Sequence, residues 1–271
     1  MLMVGTCGLC LQQKELQNSH LLPAALYKQS RDPSAWSNPN PVLVTNGRAF
    51  TSSQQVSSPF LCADCESRFS VNGENYVVTQ CAKLDGSFSL RKLLQTVSPF
   101  LEDKEKQIAL YDVHRLLGAK VDHYLYFATS VFWRASAHSW RMGDGQVGKI
   151  ALGEKYQEQF RLYLLGEDTF PQNARIHVHV SSETHLPLTL TTGPTTFRIG
   201  SAHRHKFYIP GVLFVLFLGS KVSKTHHMFA LNSRKQQTMW LCPWQNDSLF
   251  RGILKHLETA IPVGKLGKGK G

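Results

Sequence analysis

Apolar positions at three- and four-residue spacing predict two helices in the middle of the chain. In the stretch 121–140 the apolar residues recur along one stripe, as in an amphipathic helix. In the stretch 154–165, Tyr156 and Phe160 share one side, and Gly166 supplies a normal C-terminal stop. We expect these two helices to form the core of a domain in the second half of the chain.

After Pro171 the pattern changes to the two-residue alternation that is typical of β-strands. In the stretch 175–180, aliphatic residues alternate with His177 and His179, so the histidines are predicted to face solvent. Two histidines on one strand face can ligate a metal ion, but no third His or carboxylate lies nearby, and surface histidines are the preferred interpretation. The stretch 212–218 is apolar at every position and predicts a buried central strand.

Shorter patterns predict the remaining elements. Residues 42–45 are predicted to form a strand ended by the turn dipeptide Asn46-Gly47. Three further stretches give a start of extended chain at 74–78, a strand at 228–231 and a closing helix at 249–257. Trp133, Arg134 and His138 fall within the long helical pattern, where packing is a better explanation than function.

Composition and charge narrow the class of protein. The chain has 271 residues and a formal net charge of +11, which favours a polyanionic partner, nucleic acid first and an acidic membrane surface second. The longest apolar run, 212–218, is far shorter than the ~20 residues of a membrane helix. The first ten residues carry two cysteines and no basic start, which argues against a signal peptide. We therefore expect a soluble, cytoplasmic protein with no membrane partner.

Two cysteine pairs predict a metal centre. Cys7 and Cys10 form one Cys-x-x-Cys, and Cys62 and Cys65 form a second. Two such pairs match the four thiolates of a tetrahedral structural Zn²⁺ site. A disulfide pair or unrelated buried thiols are the alternatives.

The residues around the cysteines predict how the chain is organised. Those after Cys65 suit a helix start, so a knuckle followed by a helix bearing the second pair gives a treble-clef arrangement. The predicted fold is α+β, with an N-terminal treble-clef zinc module followed by a helix-plus-antiparallel-sheet domain. The predicted boundaries are a zinc module at 1–80, a connecting region at 81–120, the helix-plus-sheet domain at 121–262 and a disordered basic tail at 263–271.

The first quarter of the chain resembles the zinc-bearing subset of the HNH endonucleases. In that pattern two Cys-x-x-Cys pairs enclose a His that is followed three residues later by a Pro, as His20 and Pro23 are here. Three positions depart from the pattern. Ser19 stands where a metal-ligating Asp or His is expected, residues 55–58 supply no Asn, and Glu66 replaces the closing His.

The resemblance implies a nuclease site beside the zinc. His20 corresponds to the general base that activates water, and Glu66 stands where it can help hold a catalytic Mg²⁺ or Mn²⁺ ion. By analogy, the family suggests a bacterial or phage defence or mobile-element setting, with DNA as the favoured nucleic acid. The alternative is a non-catalytic protein-interaction module in which His20 is structural and zinc only holds the fold.

A second candidate feature is electrostatic. The stretch 184–246 contains no Asp or Glu, and aromatic residues are interleaved with its basic ones. Phosphate contact and base stacking together require this combination. The candidate nucleic-acid-binding residues are Arg198, Arg204, Lys206, Lys221 and Lys224. An ordinary sheet with solvated basic edge residues is the alternative. No phosphate-binding glycine loop or nucleophile elbow occurs, so kinase, dehydrogenase and serine-hydrolase functions have no support.

Overall fold

The computed structural model describes residues 3–32, 39–141, 147–183, 189–199 and 202–269. It shows a mixed α+β chain, as predicted, with a cysteine cluster near the N-terminus. Within the described residues no helix is both long enough and apolar enough to cross a membrane. The predicted loop at 31–41 lies partly outside the described residues.

The elements are numbered in chain order. The strands are β1 (Met3–Thr6), β2 (Gln13–His20), β3 (Val42–Thr45), β4 (Arg48–Thr51), β5 (Ser57–Cys62), β6 (Leu101–Asp103), β7 (Ile108–Asp112), β8 (Trp140–Arg141), β9 (Val147–Gly148), β10 (Ala174–Ser181), β11 (Thr195–Ile199), β12 (Ala202–Ile209), β13 (Val212–Leu218), β14 (Thr238–Cys242) and β15 (Ile261–Pro262). The helices are α1 (Ala24–Gln29), α2 (Ala63–Phe69), α3 (Asn75–Gln80), α4 (Ser89–Leu94), α5 (Val121–Ala137), α6 (Glu154–Leu165), α7 (Lys224–Met228) and α8 (Ser248–Thr259).

The N-terminal elements form a small sheet with a helix beside it. The sheet order is β1-β2-β5, and both pairings are antiparallel. Strand β2 ends at His20, and α1 begins directly after Pro23, a residue that suits the start of a helix. Strand β5 runs into α2 without a loop, so the second cysteine pair lies where strand and helix meet.

Helices α2 and α3 form one rod joined by a π-helical segment, Ser70–Glu74. The prediction of an extended stretch at 74–78 is therefore wrong. The reason is tertiary, because Val77 and Val78 are buried on one side of α3, and Gly73 packs directly on α5. A Cβ atom at Gly73 would lie 3.0 Å from the backbone nitrogen of Phe127, so the two helices approach each other to backbone contact.

The main sheet has the order β11-β12-β13-β10-β14-β7-β6. Its pairings are antiparallel except between β10 and β14, which are parallel, so the predicted antiparallel sheet is a mixed one. Strands β6 and β7 come from the segment predicted as a connecting region and extend the sheet at one edge. Strand β13 is buried along its whole length, which confirms the prediction of a central buried strand.

Helix α5 covers the inner face of this sheet. Phe127 and Phe132 of α5 pack against Phe207, at ring-centroid distances of 6.2 and 4.9 Å. Burying each such side chain contributes about 1.5–3 kcal/mol to stability. One buried cluster runs from Cys7 through α5 to Ile176 of β10. The core is thus continuous across the predicted boundaries, and the division into domains stays a prediction.

The outer face of the main sheet, opposite α5, is covered at a position that was predicted to face solvent. His177 is buried rather than solvent-exposed, with its ring stacked on Trp240 at 5.6 Å and Nε2 2.8 Å from the carbonyl oxygen of His226. Helix α7 covers this part of the face, and the strand predicted at 228–231 does not form. Strand β10 pairs with β13 on one side and with β14, farther along the chain, on the other.

The C-terminal elements pack on the hairpin β3–β4. Asn46 and Gly47 connect its strands with φ of 49° and 70°, the left-handed conformation that the dipeptide predicts. Strand β15 pairs in parallel with β4. Residues 264–269 form a 3-10 helix, which differs from the disordered tail predicted there.

Candidate metal centre and candidate active site

The first cysteine pair lies in a tight turn between β1 and β2. The N–H of Cys7 donates to the carbonyl of Gln12, and the N–H of Leu11 donates back to the carbonyl of Cys7, both at 2.9 Å. Gly8 is required because a Cβ there would lie 2.1 Å from the Phe60 ring. The turn therefore packs against β5, which carries the second pair.

The second pair begins helix α2. Cys62 precedes the first helical residue, and its backbone N–H donates to the Cys7 sulfur at 3.3 Å. Cys65 lies in the first turn of α2, and its hydrogen bond to the Cys7 sulfur together with burial raises the pKa of its thiol. As predicted, a helix begins at the second pair, although only Cys65 lies within it and Cys62 is the last residue of β5.

The four sulfurs are arranged for a metal ion. The Sγ atoms of Cys7, Cys10, Cys62 and Cys65 all lie within 4.8 Å of one another, and those of Cys10 and Cys62 are 3.9 Å apart. Tetrahedral Zn²⁺ with bonds of about 2.3 Å places its sulfurs about 3.8 Å apart, so the donor set fits zinc. Hydrogen bonds from the Cys65 thiol and the Cys62 N–H hold the pKa of Cys7 at about 4. A cluster of four cysteines that could hold a metal ion is thus present, and all six cysteines are free of disulfides.

A cavity of about 430 Å³ opens beside α2, the helix that begins at the second cysteine pair. His20 at the end of β2 and Glu66 of α2 both line it, so two side chains that are 46 positions apart meet at one site. The Oε1 atom of Glu66 is buried and has no hydrogen-bond partner among the described residues. The full lining consists of His20, Pro23, Ala24, Ala25, Glu66, Ser70, Glu74, Asn75, Val78, Thr79 and Arg134.

Arg134 of α5 closes one wall of the cavity. Its guanidinium donates to the carbonyl oxygen of His20 at 2.8 Å and to Oε1 of Glu74 at 2.7 Å. It also donates to the carbonyl and hydroxyl oxygens of Ser130, and it lies 5.1 Å from the centre of the Phe69 ring. The side chain is 1% exposed, so a fixed cation joins the long helix to the N-terminal elements.

The surroundings of His20 favour a neutral imidazole. Burial lowers the pKa of His20, and the positive charge of Arg134 also lowers it, whereas Glu66 and a hydrogen bond with the Gln55 side chain raise it. Ser19 faces the other way. Its buried hydroxyl accepts from the N–H of Leu61 at 3.0 Å, so it supplies no ligand to the cavity.

The predicted nucleic-acid-binding residues do not form one exposed group. Lys206 is buried and forms an ion pair with Asp247, the first acid after the acid-free stretch, so its charge is unavailable to phosphate. Arg204 is half-buried, with its guanidinium 5.7 Å from the centre of the Phe197 ring. Lys221 and Lys224 are exposed near the start of α7. The side chain of Arg198 lies outside the described residues, as does the stretch 184–188.

Arg134 is the site residue that sequence reasoning missed, since it was assigned to packing. A signal existed, because an arginine within an apolar helical stripe must be paired when it is buried. Trp133 does pack as predicted, stacked on Phe60 at 5.5 Å.

Comparisons with models of protein families, with curated proteins and with solved structures found no match to this chain.

Proposed function

We propose that this chain is an HNH-like, zinc-stabilised protein that binds nucleic acid and cleaves it with the help of a divalent ion. The observation that carries the proposal is that His20 and Glu66 line one cavity, and that Glu66 directly follows Cys65 of the four-cysteine cluster. The arrangement of the N-terminal elements also supports the HNH-like assignment. It has the parts of a treble clef, namely a turn with two cysteines, an antiparallel strand pair and a helix that begins at the second cysteine pair.

In this proposal His20 is the general base. A neutral imidazole can accept a proton from water, and the lowered pKa of His20 keeps it neutral at physiological pH. Glu66 offers a buried carboxylate oxygen that has no partner in the part of the chain that the structure describes, and such an oxygen suits Mg²⁺ or Mn²⁺. The bound ion would stabilise negative charge on the scissile phosphate.

A specific observation favours the second candidate, a non-catalytic protein-interaction module. The hydroxyl of Ser19 is used by the backbone of Leu61, and Glu74 is engaged by Arg134. Of the two glutamates that line the cavity, only Glu66 is then left to bind an ion. A single carboxylate binds a divalent ion weakly. The two candidates differ in whether His20 is needed for chemistry or only for structure.

Cleavage of supercoiled plasmid in Mg²⁺ or Mn²⁺ distinguishes the candidates. His20→Ala and Glu66→Gln are expected to lose cleavage by at least about 100-fold, since general-base catalysis alone contributes about 10²–10⁴-fold. Both variants should keep zinc content and melting temperature. His256→Ala, at an exposed position on α8, is the matched control. Activity that survives in His20→Ala, or is absent from the parent protein in both ions, would overturn the nuclease proposal.

Binding of nucleic acid is tested separately at the exposed lysines. Changing Lys221 and Lys224 together to Gln should weaken DNA binding at all sequences and reduce the salt slope by about 1 for each lost phosphate contact. Lys104→Gln, in the turn between β6 and β7 at the far edge of the sheet, is the control. Unchanged affinity and salt slope in the double variant would place the binding surface elsewhere.

A further inference from the structure

We infer that Arg134 is a positioning residue of the cavity. It anchors the backbone of His20 and neutralises Glu74, which leaves Glu66 as the cavity carboxylate with no ion-pair partner among the described residues. This inference rests on the proposed function for the role of the cavity. The structural evidence for it is a set of contacts made by the Arg134 side chain, which belongs to α5 and thus lies outside the first quarter of the chain.

The first contact fixes His20. The guanidinium donates to the His20 carbonyl at 2.8 Å, at the last residue of β2. The next residue, Leu21, donates its N–H to the carbonyl of Val56 at 3.0 Å, and the chain then turns at Pro23. Arg134 thus holds the strand end from inside the core, which sets where the imidazole stands in the cavity.

The second contact sets the charge of the cavity. Glu74 and Glu66 both line it, but one Glu74 oxygen is paired with Arg134 at 2.7 Å, whereas Oε1 of Glu66 has no partner among the described residues. With the Glu74–Arg134 pair neutral, the cavity carries one net negative charge. Removing the guanidinium would raise this to two, and removing only the Glu74 charge would lower it to zero.

The arginine itself is held too firmly to serve as a movable phosphate ligand. It is 1% exposed, its Nε and Nη2 atoms donate to Ser130, and its Cζ atom lies over the Phe69 ring. A cation fixed in this way costs no reorganisation when a ligand arrives, and it keeps neighbouring groups in place. Its contribution is therefore exerted through His20 and Glu74.

Binding of Mn²⁺ to the zinc-loaded full chain, measured by electron paramagnetic resonance, tests the charge assignment. Arg134→Gln should bind Mn²⁺ at least about tenfold more tightly than the parent, because it removes a positive charge that repels the divalent ion. Glu74→Gln should bind Mn²⁺ at least about tenfold more weakly, because it removes a negative charge that attracts the ion. The double variant, Arg134→Gln with Glu74→Gln, should return to the parent affinity. Equal affinities in the parent and both single variants, including no binding in any, would overturn the inference.

Hydrogen exchange at the Leu21 amide tests the anchoring of His20. Arg134→Gln and the double variant should exchange this amide faster than the parent, whereas Glu74→Gln keeps the bond to the His20 carbonyl and should not. Glu74→Gln also preserves side-chain shape, so it provides the result if Arg134→Gln fails to fold. Faster exchange in Glu74→Gln than in the double variant would contradict the anchoring.

Cleavage assays then separate this inference from the proposed function. The double variant is expected to regain Mn²⁺ affinity but not cleavage, since its His20 carbonyl has lost its donor. A parent protein that never cleaves, together with the predicted Mn²⁺ and exchange pattern, would refute the nuclease and leave the role of Arg134 intact. A double variant with full cleavage would show that the anchoring is not needed.

Discussion

At the residue scale, two ion pairs with buried cations lie on opposite sides of the main sheet, and each joins segments that are distant in sequence. Arg134 pairs with Glu74, and Lys206 pairs with Asp247. Asp247 also accepts a hydrogen bond from the Tyr208 hydroxyl at 2.9 Å and caps the N-terminus of α8. Such pairs contribute little net stability when whole, but losing one partner leaves an uncompensated buried charge.

Lys206→Met should destabilise the protein by about 3–5 kcal/mol, because it leaves the Asp247 carboxylate, which is only 16% exposed, without its cation. Urea unfolding measures the loss. Adding Asp247→Asn to this variant should recover most of it, since Asn also caps helices and carries no charge. Lys221→Met, at an exposed position, is the control and should change stability by less than about 0.5 kcal/mol. A cost near zero for Lys206→Met would show that the lysine is solvated rather than paired.

At the element scale, two histidines are buried within the strands of the main sheet. His177 of β10 lies between Trp240 and Phe217 on the outer face. His205 of β12 lies near Phe132 on the inner face, with Nδ1 2.9 Å from the Thr196 hydroxyl. Burial lowers the pKa of His177 to about 3 and that of His205 to about 4. Both imidazoles are therefore neutral in the folded protein at physiological pH.

Stability should fall as pH decreases below about 6.5, the ordinary pKa of histidine. The folded pKa values are depressed, so only the unfolded state takes up these protons until the pH approaches 4. The contribution of each histidine is complete above pH 6.5 and is lost by about 1.4 kcal/mol per pH unit below it. Urea unfolding at pH 7, 6 and 5 measures the slope, which His177→Gln should reduce and the exposed His256→Gln should not. The same slope in His177→Gln and the parent would argue against this origin.

The rod formed by α2, the π segment and α3 is the element that carries Glu66 and Glu74 to one cavity. Its position depends on backbone contact with α5 at Gly73. Flexible side chains cannot relieve a clash there, because the opposing atoms include the backbone of Phe127. The geometry of the cavity thus depends on how closely two helices pack.

Gly73→Ala should destabilise the protein by about 1–3 kcal/mol by forcing the rod away from α5. Gly252→Ala on α8 is the matched control. A Cβ at Gly252 meets nothing within 4 Å, so Ala should stabilise that helix by about 0.5–1 kcal/mol through propensity alone. Thermal unfolding of the two variants should therefore move in opposite directions, and a stabilised Gly73→Ala would contradict the close packing.

At the scale of the whole molecule, the four-cysteine cluster and the main sheet share one core. Phe60 of β5 packs against Trp133 of α5 and Trp140 of β8, and the buried cluster continues through α5 to the sheet. The interface between the N-terminal elements and the rest is therefore apolar and closely packed. Loss of order around the cysteines would expose this surface.

Removing zinc should destabilise the whole chain in a single thermal transition. Cys62→Ser, or chelation of the parent, removes a site worth on the order of 10 kcal/mol in isolated zinc modules and should lower the melting temperature strongly. Elemental analysis and calorimetry measure zinc content and the number of transitions. Cys81→Ala is the control, since this buried thiol lies outside the cluster of four and zinc should remain. Two well-separated transitions in the parent would indicate independent domains instead.

The sequence by itself determined the features whose physics is local. The Cys-x-x-Cys spacing defines a ligand set because each pair fits one tight turn, and the dipeptide Asn46-Gly47 predicts its hairpin because its residues tolerate positive φ. The helical stripe of α5 and the uninterrupted apolar run of β13 likewise require burial wherever the chain places them. His20 and Glu66 could be paired only through a family resemblance, which supplied the strand-and-helix geometry that spacing lacks.

Only the tertiary structure decided which charges are buried and what surrounds the cavity. A strand with alternating polar residues has the same pattern whether its outer face meets water or another element, so neither Lys206 nor His177 could be placed from sequence. Arg134 and Glu74 are 60 positions apart, and their pairing depends on the contact between the rod and α5. Local patterns specify which surfaces must be covered, whereas long-range packing chooses what covers them, because the free energy of burial depends on area and not on sequence distance.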